Sequence, residues 1–316
     1  MATTTDNYST MQTILGAGGS IGFELAKELP KYTNHIRLVG RTPKKVNADD
    51  ELFPAKLSDP KQVDRAVSGS AVVYVTIGFE YSAKSWQQLW PPFIKSVITS
   101  CKKHNARLVF FDNIYMYDPD FLGRMTEETP MRSVSKKGAV RQEIATLLLH
   151  EMAHSDLDVL IARSADFIGP KNSVLVEMVY KNLLKGKKAD WFISADKLHN
   201  FTFTPDAAKA TAILGNTPDA YNQVWHLPTD TTPLTGKDWV QLFANQMDMA
   251  PQVRVLPQWL LGMLGIFIPV LKEFREMSYQ YDRDYVFESS KFEERFNFRP
   301  TTPEAAVKAI VDGLSV

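Results

Sequence analysis

The sequence has one cysteine, Cys101. A single thiol can close no disulfide within the chain and cannot build a cysteine-rich zinc site, so a reducing cytoplasm is the expected compartment. Neither sign of charge is in excess: 36 Lys and Arg stand against 36 Asp and Glu. That balance argues against a nucleic-acid groove and against a polybasic membrane anchor. Residues Met1 to Thr10 lack the apolar core of a signal peptide and read as a loose N-terminus. Long hydrophobic runs are also missing. The most apolar stretch, Trp259 to Leu271, is too short to span a bilayer and is interrupted by Gly262, Gly265 and Pro269. It reads as a buried helix pair or a hydrophobic lid, with contact to a membrane surface as the alternative. There is no internal repeat.

What is present is an ordinary globular composition, 44% hydrophobic and 23% charged over 316 residues. That length allows one large α/β domain or two lobes sharing a cleft. Short apolar runs alternate with helical patterns. Strands are expected at 11–15, 35–39, 52–57, 71–76, 107–111 and 157–162. Helices are expected near 20–29, 61–67, 85–104 and 135–154, with Pro91-Pro92 marking a kink or a new start. This spacing predicts a doubly wound parallel Rossmann sheet. After Gly169-Pro170 the pattern loosens: a helix near 174–184, short strands at 191–194 and 201–204, a helix at 205–214, a strand at 223–227, and a mostly helical remainder. The expected organisation is a dinucleotide-binding domain over 10–170, with 200–228 returning to it, and a smaller substrate lobe over 171–316.

The loop Gly16-Ala17-Gly18-Gly19-Ser20-Ile21-Gly22 follows a predicted strand and opens a predicted helix. In that context Gly16 permits the tight turn, Gly18 and Gly19 let the backbone approach a diphosphate, and Gly22 allows close helix–strand packing. The helix N-terminus, with Ser20 and Ile21, offers N–H groups to the phosphates. The end of the second strand reads Gly40-Arg41-Thr42-Pro43-Lys44 and has no acid for a ribose 2′-hydroxyl. Arg41 and Lys44 therefore tilt the expected cofactor toward NADP over NAD.

The chain resembles the extended and atypical short-chain dehydrogenase/reductases, in particular the NAD-dependent epimerase/dehydratase branch. The likeness lies in the glycine loop at Gly16, Gly19 and Gly22, in the run Val63 to Tyr74, and in Thr76-Ile77-Gly78 at the end of the fourth strand. It continues through Phe110 to Tyr117, Arg163 to Pro170 and Asn200 to Ala210. The resemblance implies that Thr76, Ile77 and Gly78 meet the cofactor, and that Ser164 and Phe167 lie near the nicotinamide. It also makes a homodimer plausible through the helices near Ser85–His104 and Ser135–His154.

The superfamily works with a Ser or Thr and with a Tyr four residues before a Lys. Lys137 is the better match for that lysine, which would hold the cofactor ribose, but Ser133 stands where the tyrosine belongs and Asn113 where the serine belongs. Serine has no accessible pKa for this proton transfer. Tyr115 is the candidate replacement acid/base, with Asn113 as its orienter; the alternative is that Tyr115 and Tyr117 are packing aromatics. Lys137 and Arg141 share a helix face and could hold ribose or a substrate phosphate. His150 and His154 are spaced like a metal pair but have no third ligand by motif, so no metal is expected. Asp166 and Ser164 could contact substrate. The other histidines, His199 and His226 among them, show no catalytic pattern. In the later lobe, Arg254 and Arg275 are candidates for a sugar-nucleotide diphosphate.

Two functions follow from different classes. One is an NAD(P)-dependent oxidoreductase or epimerase/dehydratase-like enzyme acting on a small carbonyl or nucleotide sugar. The other is a dinucleotide-binding regulator or scaffold without turnover, which the missing tyrosine favours. A weaker third is a peripheral membrane protein using the stretch near Trp259.

Overall fold

The computed structural model describes residues 10–171, 173–265 and 269–314. The expectation for the first nine residues, and for 266–268 of the apolar stretch, lies outside the described residues. The first half alternates strands and helices: β1 (Gln12–Leu15), α1 (Ser20–Glu28), β2 (Ile36–Gly40), β3 (Glu51–Pro54), α2 (Pro60–Val67), β4 (Val72–Val75), α3 (Ala83–His104), β5 (Arg107–Asp112), α4 (Lys136–His154) and β6 (Val159–Arg163). There follow β7 (Asp166–Ile168), α5 (Lys181–Leu184), β8 (Ala189–Phe192), β9 (Phe201–Phe203), α6 (Thr204–Gly215), β10 (Gln223–His226) and α7 (Gly236–Gln246). The described chain ends with β11 (Val253–Leu256), α8 (Gln258–Leu264), α9 (Pro269–Glu276), α10 (Ser290–Phe296) and α11 (Pro303–Leu314).

Seven strands form one sheet in the order β3-β2-β1-β4-β5-β6-β10, with every pair parallel. β1, β4 and β6 are buried throughout because both faces of the sheet interior are covered, whereas the edge strand β3 is mostly exposed. Leu15, Val39, Val73, Val75, Leu108 and Phe110 pack on the side of α2, α3 and α4. Their neighbours Ile14, Leu38, Val72, Tyr74 and Val109 pack on the side of α1 and α6. The order changes direction between β1 and β4, which opens a crevice at the carboxyl ends of the strands.

α6 packs on α1, and β10 pairs with β6, so this later segment is part of the sheet layer. Phe292 of α10 joins the same apolar cluster. A third cluster gathers β8, α7 and α11 around Trp191, Phe243 and Ile310. Two short strands have no counterpart in the sequence reading: β7, paired with β9, and β11, paired with β8. α3 is unbroken through Pro91-Pro92. Its neighbours Trp90, Phe93, Ile94 and Val97 are buried in the core, and that packing holds the helix together where the prolines lack N–H donors. In α8, Leu261 is buried while Trp259 and Met263 face solvent. Among the described residues no helix is long and apolar enough to cross a membrane.

Candidate active site

β1 ends at Leu15 and the chain must turn at once to begin α1. Gly16 makes that turn at φ +104°, a left-handed value that a side chain would strain. A Cβ on Gly16 would lie 2.5 Å from the Ile77 backbone, and one on Gly22 2.5 Å from the Gly16 carbonyl oxygen, whereas nothing lies within 4 Å of the same point on Gly18. The loop is therefore closed toward β4 and open on its outer side. The residue before α1 is Gly19, which has no side chain to cap the helix, and the first turn carries no acid, so the positive end of α1 suits an anion. A cavity of about 1250 Å³ is lined here by Gly16, Gly18, Gly19, Ser20 and Ile21, with Thr76, Ile77 and Gly78 past β4.

Arg41 and Thr42 line the same cavity beyond β2, while Lys44 lies outside its lining. Lys56 and Ser58 line it too, and motif reading misses both. The parallel register Gly40↔Pro54 is what brings the end of β3 beside the end of β2. An open glycine loop and a helix start without an acid in its first turn fit the phosphates of a dinucleotide, and the lining residues of this end include two cations, Arg41 and Lys56.

The cavity continues to the ends of β5 and β6. Asn113 forms a side-chain turn, its Oδ1 accepting from the Tyr115 backbone N–H at 3.1 Å. Tyr115 lines the cleft, its phenol 3.3 Å from that of Tyr81 and its ring stacked on Trp86. Burial pushes the Tyr115 phenol well above its ordinary pKa, and the charge of Asp166 adds to the effect. Tyr117, two residues on, is fully buried elsewhere: its hydroxyl is 2.7 Å from His226 Nε2 and accepts from Arg163 at 3.1 Å. Ser133 is bonded to Gln142 and is not among the lining residues.

α4 approaches the Tyr115 turn closely at Gly138, where a Cβ would lie 2.3 Å from the Tyr115 carbonyl oxygen. Lys137, just before it, is wholly buried and its ammonium donates to Glu273 at 2.6 Å and Glu276 at 3.0 Å. It is not among the cleft-lining residues. Arg141, one turn further, does line the cleft; it pairs with Asp112 at 3.4 Å and lies 4.1 Å over the Trp90 ring. Asp112 also receives Arg163 at 3.3 Å.

Asp166, at the start of β7, lines the cleft and meets His199 Nε2 at 3.1 Å. The Tyr281 hydroxyl donates to the same carboxylate oxygen at 3.2 Å. Ser164 and Phe167 line the cleft on either side of it. Arg254 pairs with Asp190 at the surface, and neither Arg254 nor Arg275 is among the lining residues. His150 and His154 stack on one another, and no cluster that could hold a metal occurs among the described residues.

The profile of a family described as NAD(P)H-binding matches residues 16–190, more than half of the chain. The chain belongs to this NAD(P)H-binding family. No curated protein matches the sequence. Solved structures of the same fold include UDP-glucose 4-epimerase from Thermus thermophilus, complexed with NAD, at TM-score 0.77 and 17% identity over 96% of this chain and 99% of that one. They also include dTDP-glucose 4,6-dehydratase from Bacillus anthracis, with NAD, at TM-score 0.77 and 14% identity over 96% of both chains. UDP-glucuronic acid 4-epimerase from Bacillus cereus, again with NAD, matches at TM-score 0.77 and 14% identity over 96% of this chain and 99% of that one. The NAD(P)H-binding chain thus has the Rossmann-like fold of NAD-binding epimerases and dehydratases, nearly end to end.

Proposed function

We propose that the protein is an NADP(H)-dependent oxidoreductase that reduces a small carbonyl compound, with Tyr115 as the proton donor. The observation that carries this reading is the Tyr115 phenol: it lines the cleft and is paired with Tyr81, and its pKa is raised by burial. A protonated phenol lining the cleft can give its proton to a carbonyl oxygen, the step that reduction of a carbonyl requires. When bound, the reduced nicotinamide supplies a hydride to the carbonyl carbon. Tyr115 gives its hydroxyl proton to the carbonyl oxygen as that oxygen gains charge, and Tyr81 is placed to pass a proton back. Asn113 fixes the backbone of Tyr115 and so acts as a positioning residue. Arg41 and Lys56 favour NADP(H) by charge-assisted contact with a 2′-phosphate. Lys137 has its ammonium engaged by Glu273 and Glu276, and it is given no chemical step.

The test is NADPH consumption with a panel of uncharged aldehydes and ketones. Tyr115→Phe is expected to lower kcat by about a hundredfold or more while NADPH still binds. Unchanged turnover in that variant removes Tyr115 from the role. A second reading, a dinucleotide-binding regulator without turnover, is favoured by one observation: the lysine that would lower a phenol's pKa is occupied by carboxylates. Tight NADPH binding with no consumption across the panel would select it.

A further inference from the structure

The cations on the cleft lining are unevenly placed. Arg41 and Lys56 lie at the β2–β3 end, and Arg141 at the β5 end is already paired with the buried Asp112. Beyond the glycine loop the lining carries the carboxylates of Glu80, Asp166 and Glu177. Asp166 stands out among these because it is built into place. His199 Nε2 and the Tyr281 hydroxyl both approach its Oδ2, at 3.1 Å and 3.2 Å, and the Tyr285 hydroxyl accepts from its backbone N–H at 3.2 Å. The imidazole of His199 is itself held between the rings of Tyr285 and Tyr281, with centroids 4.2 Å and 4.7 Å away. No lysine or arginine pairs with Asp166 among the described residues, and its Oδ1 has no partner there. The neighbouring lining residues are the aromatic Tyr81, Trp86, Tyr115 and Phe274.

We infer that Asp166 selects the substrate by charge: the cleft takes a carbonyl compound that bears no phosphate or carboxylate, with an uncharged or cationic aromatic body. This rests on the proposed use of the cleft for carbonyl reduction and narrows its substrate class. A nucleotide sugar brings a diphosphate that needs arginines or lysines around it. Here the position facing the ligand is a fixed carboxylate, and bringing an anion beside it costs Coulomb energy in a partly desolvated site. An aromatic body or a cationic nitrogen meets the lining rings and Asp166 favourably.

The experiment is calorimetric titration of the protein loaded with NADP+, which has no hydride to give, with three probes of one shape: benzaldehyde, 4-carboxybenzaldehyde and 4-(trimethylammonio)benzaldehyde. The carboxylate is expected to bind about tenfold or more weakly than benzaldehyde, and the ammonium at least as tightly as benzaldehyde. Asp166→Asn, nearly isosteric, is expected to close the gap between carboxylate and benzaldehyde to about threefold or less. The wild-type order alone decides the sign, so the inference is tested even if the variant folds poorly. Equal or tighter binding of the carboxylate probe overturns it, as does binding of UDP-glucose in preference to benzaldehyde, or saturable binding of none of the three. The readout is affinity rather than turnover. Probes that bind in the expected order without NADPH consumption count against the reductase alone, and consumption that favours the anionic probe counts against the charge selection alone.

Discussion

Arg41 and Lys56 make the cofactor preference a matter of individual side chains. Arg41→Ala is expected to weaken NADPH binding by about tenfold or more and to leave NADH nearly unaffected, because only the former offers a phosphate to the guanidinium. Parallel titrations with the two reduced cofactors read this directly, and equal loss for both would remove Arg41 from a 2′-phosphate role. Arg41 is legible in the sequence because it follows the second strand at a fixed offset. Lys56 is not, since it arrives through the register of β2 with β3. The same limit hides His199 and His226, whose partners Asp166 and Tyr117 lie 33 and 109 residues away. His226 also carries a pH signature. Burial lowers its pKa from 6.5 to about 3. The unfolded chain takes up that proton near pH 6.5 and the folded chain refuses it until about pH 3, so stability falls as pH drops through this window. A thermal midpoint measured across that range should fall less steeply in His226→Gln than in the parent. An unchanged slope would mean that other groups set the acid sensitivity.

Among the elements, α9 ties together the starts of α3 and α4. Glu273 of α9 accepts from the backbone of Ala83 at the start of α3 at 3.0 Å, and Glu276 accepts from the backbone of Lys136 and Lys137 at the start of α4. Both carboxylates also take the buried ammonium of Lys137. Two helix N-termini and one lysine are thus neutralised by a single short helix, an arrangement favourable to each dipole. The double variant Glu273→Gln with Glu276→Gln leaves a buried ammonium without a counter-charge, which costs about 3–5 kcal/mol. Adding Lys137→Met to that pair removes the stranded charge and is expected to recover part of the loss, seen as a higher thermal midpoint than the double variant. A triple variant less stable than the double would show that the lysine stem, not its charge, holds the contact. No sequence pattern exposes this clasp, because the carboxylates that meet Lys137 lie 136 and 139 positions away. By contrast α3 and α4 stand within two residues of their expected starts. α3 also shows where local reasoning stops: Pro91-Pro92 predicts a kink or a new helix start, and the chain makes no new start there, with Trp90 and Phe93 buried on one continuous helix.

For the molecule as a whole, the parallel sheet was legible from continuous apolar runs separated by helical patterns, since strands covered on both faces have no polar side to show. The glycine loop was equally plain, for its residues answer to backbone sterics that hold wherever a strand turns into a phosphate-facing helix. The later part of the chain was legible only as helical and aromatic material. Its short strands β7 and β11 exist through pairings that the local sequence does not announce. The cleft combines both kinds of information: the glycine loop, Tyr115 and Asp166 stand where the sequence already points, whereas Tyr81 reaches Tyr115 and His199 reaches Asp166 only through tertiary contacts. The most direct test of the central claim is label transfer from NADPH deuterated at the nicotinamide C4 to a neutral aldehyde, read by mass spectrometry of the product alcohol. One deuterium is expected on the former carbonyl carbon with the wild type, with the rate reduced by about a hundredfold or more in Tyr115→Phe. NADPH held tightly in the cleft with no label appearing in any alcohol would contradict it.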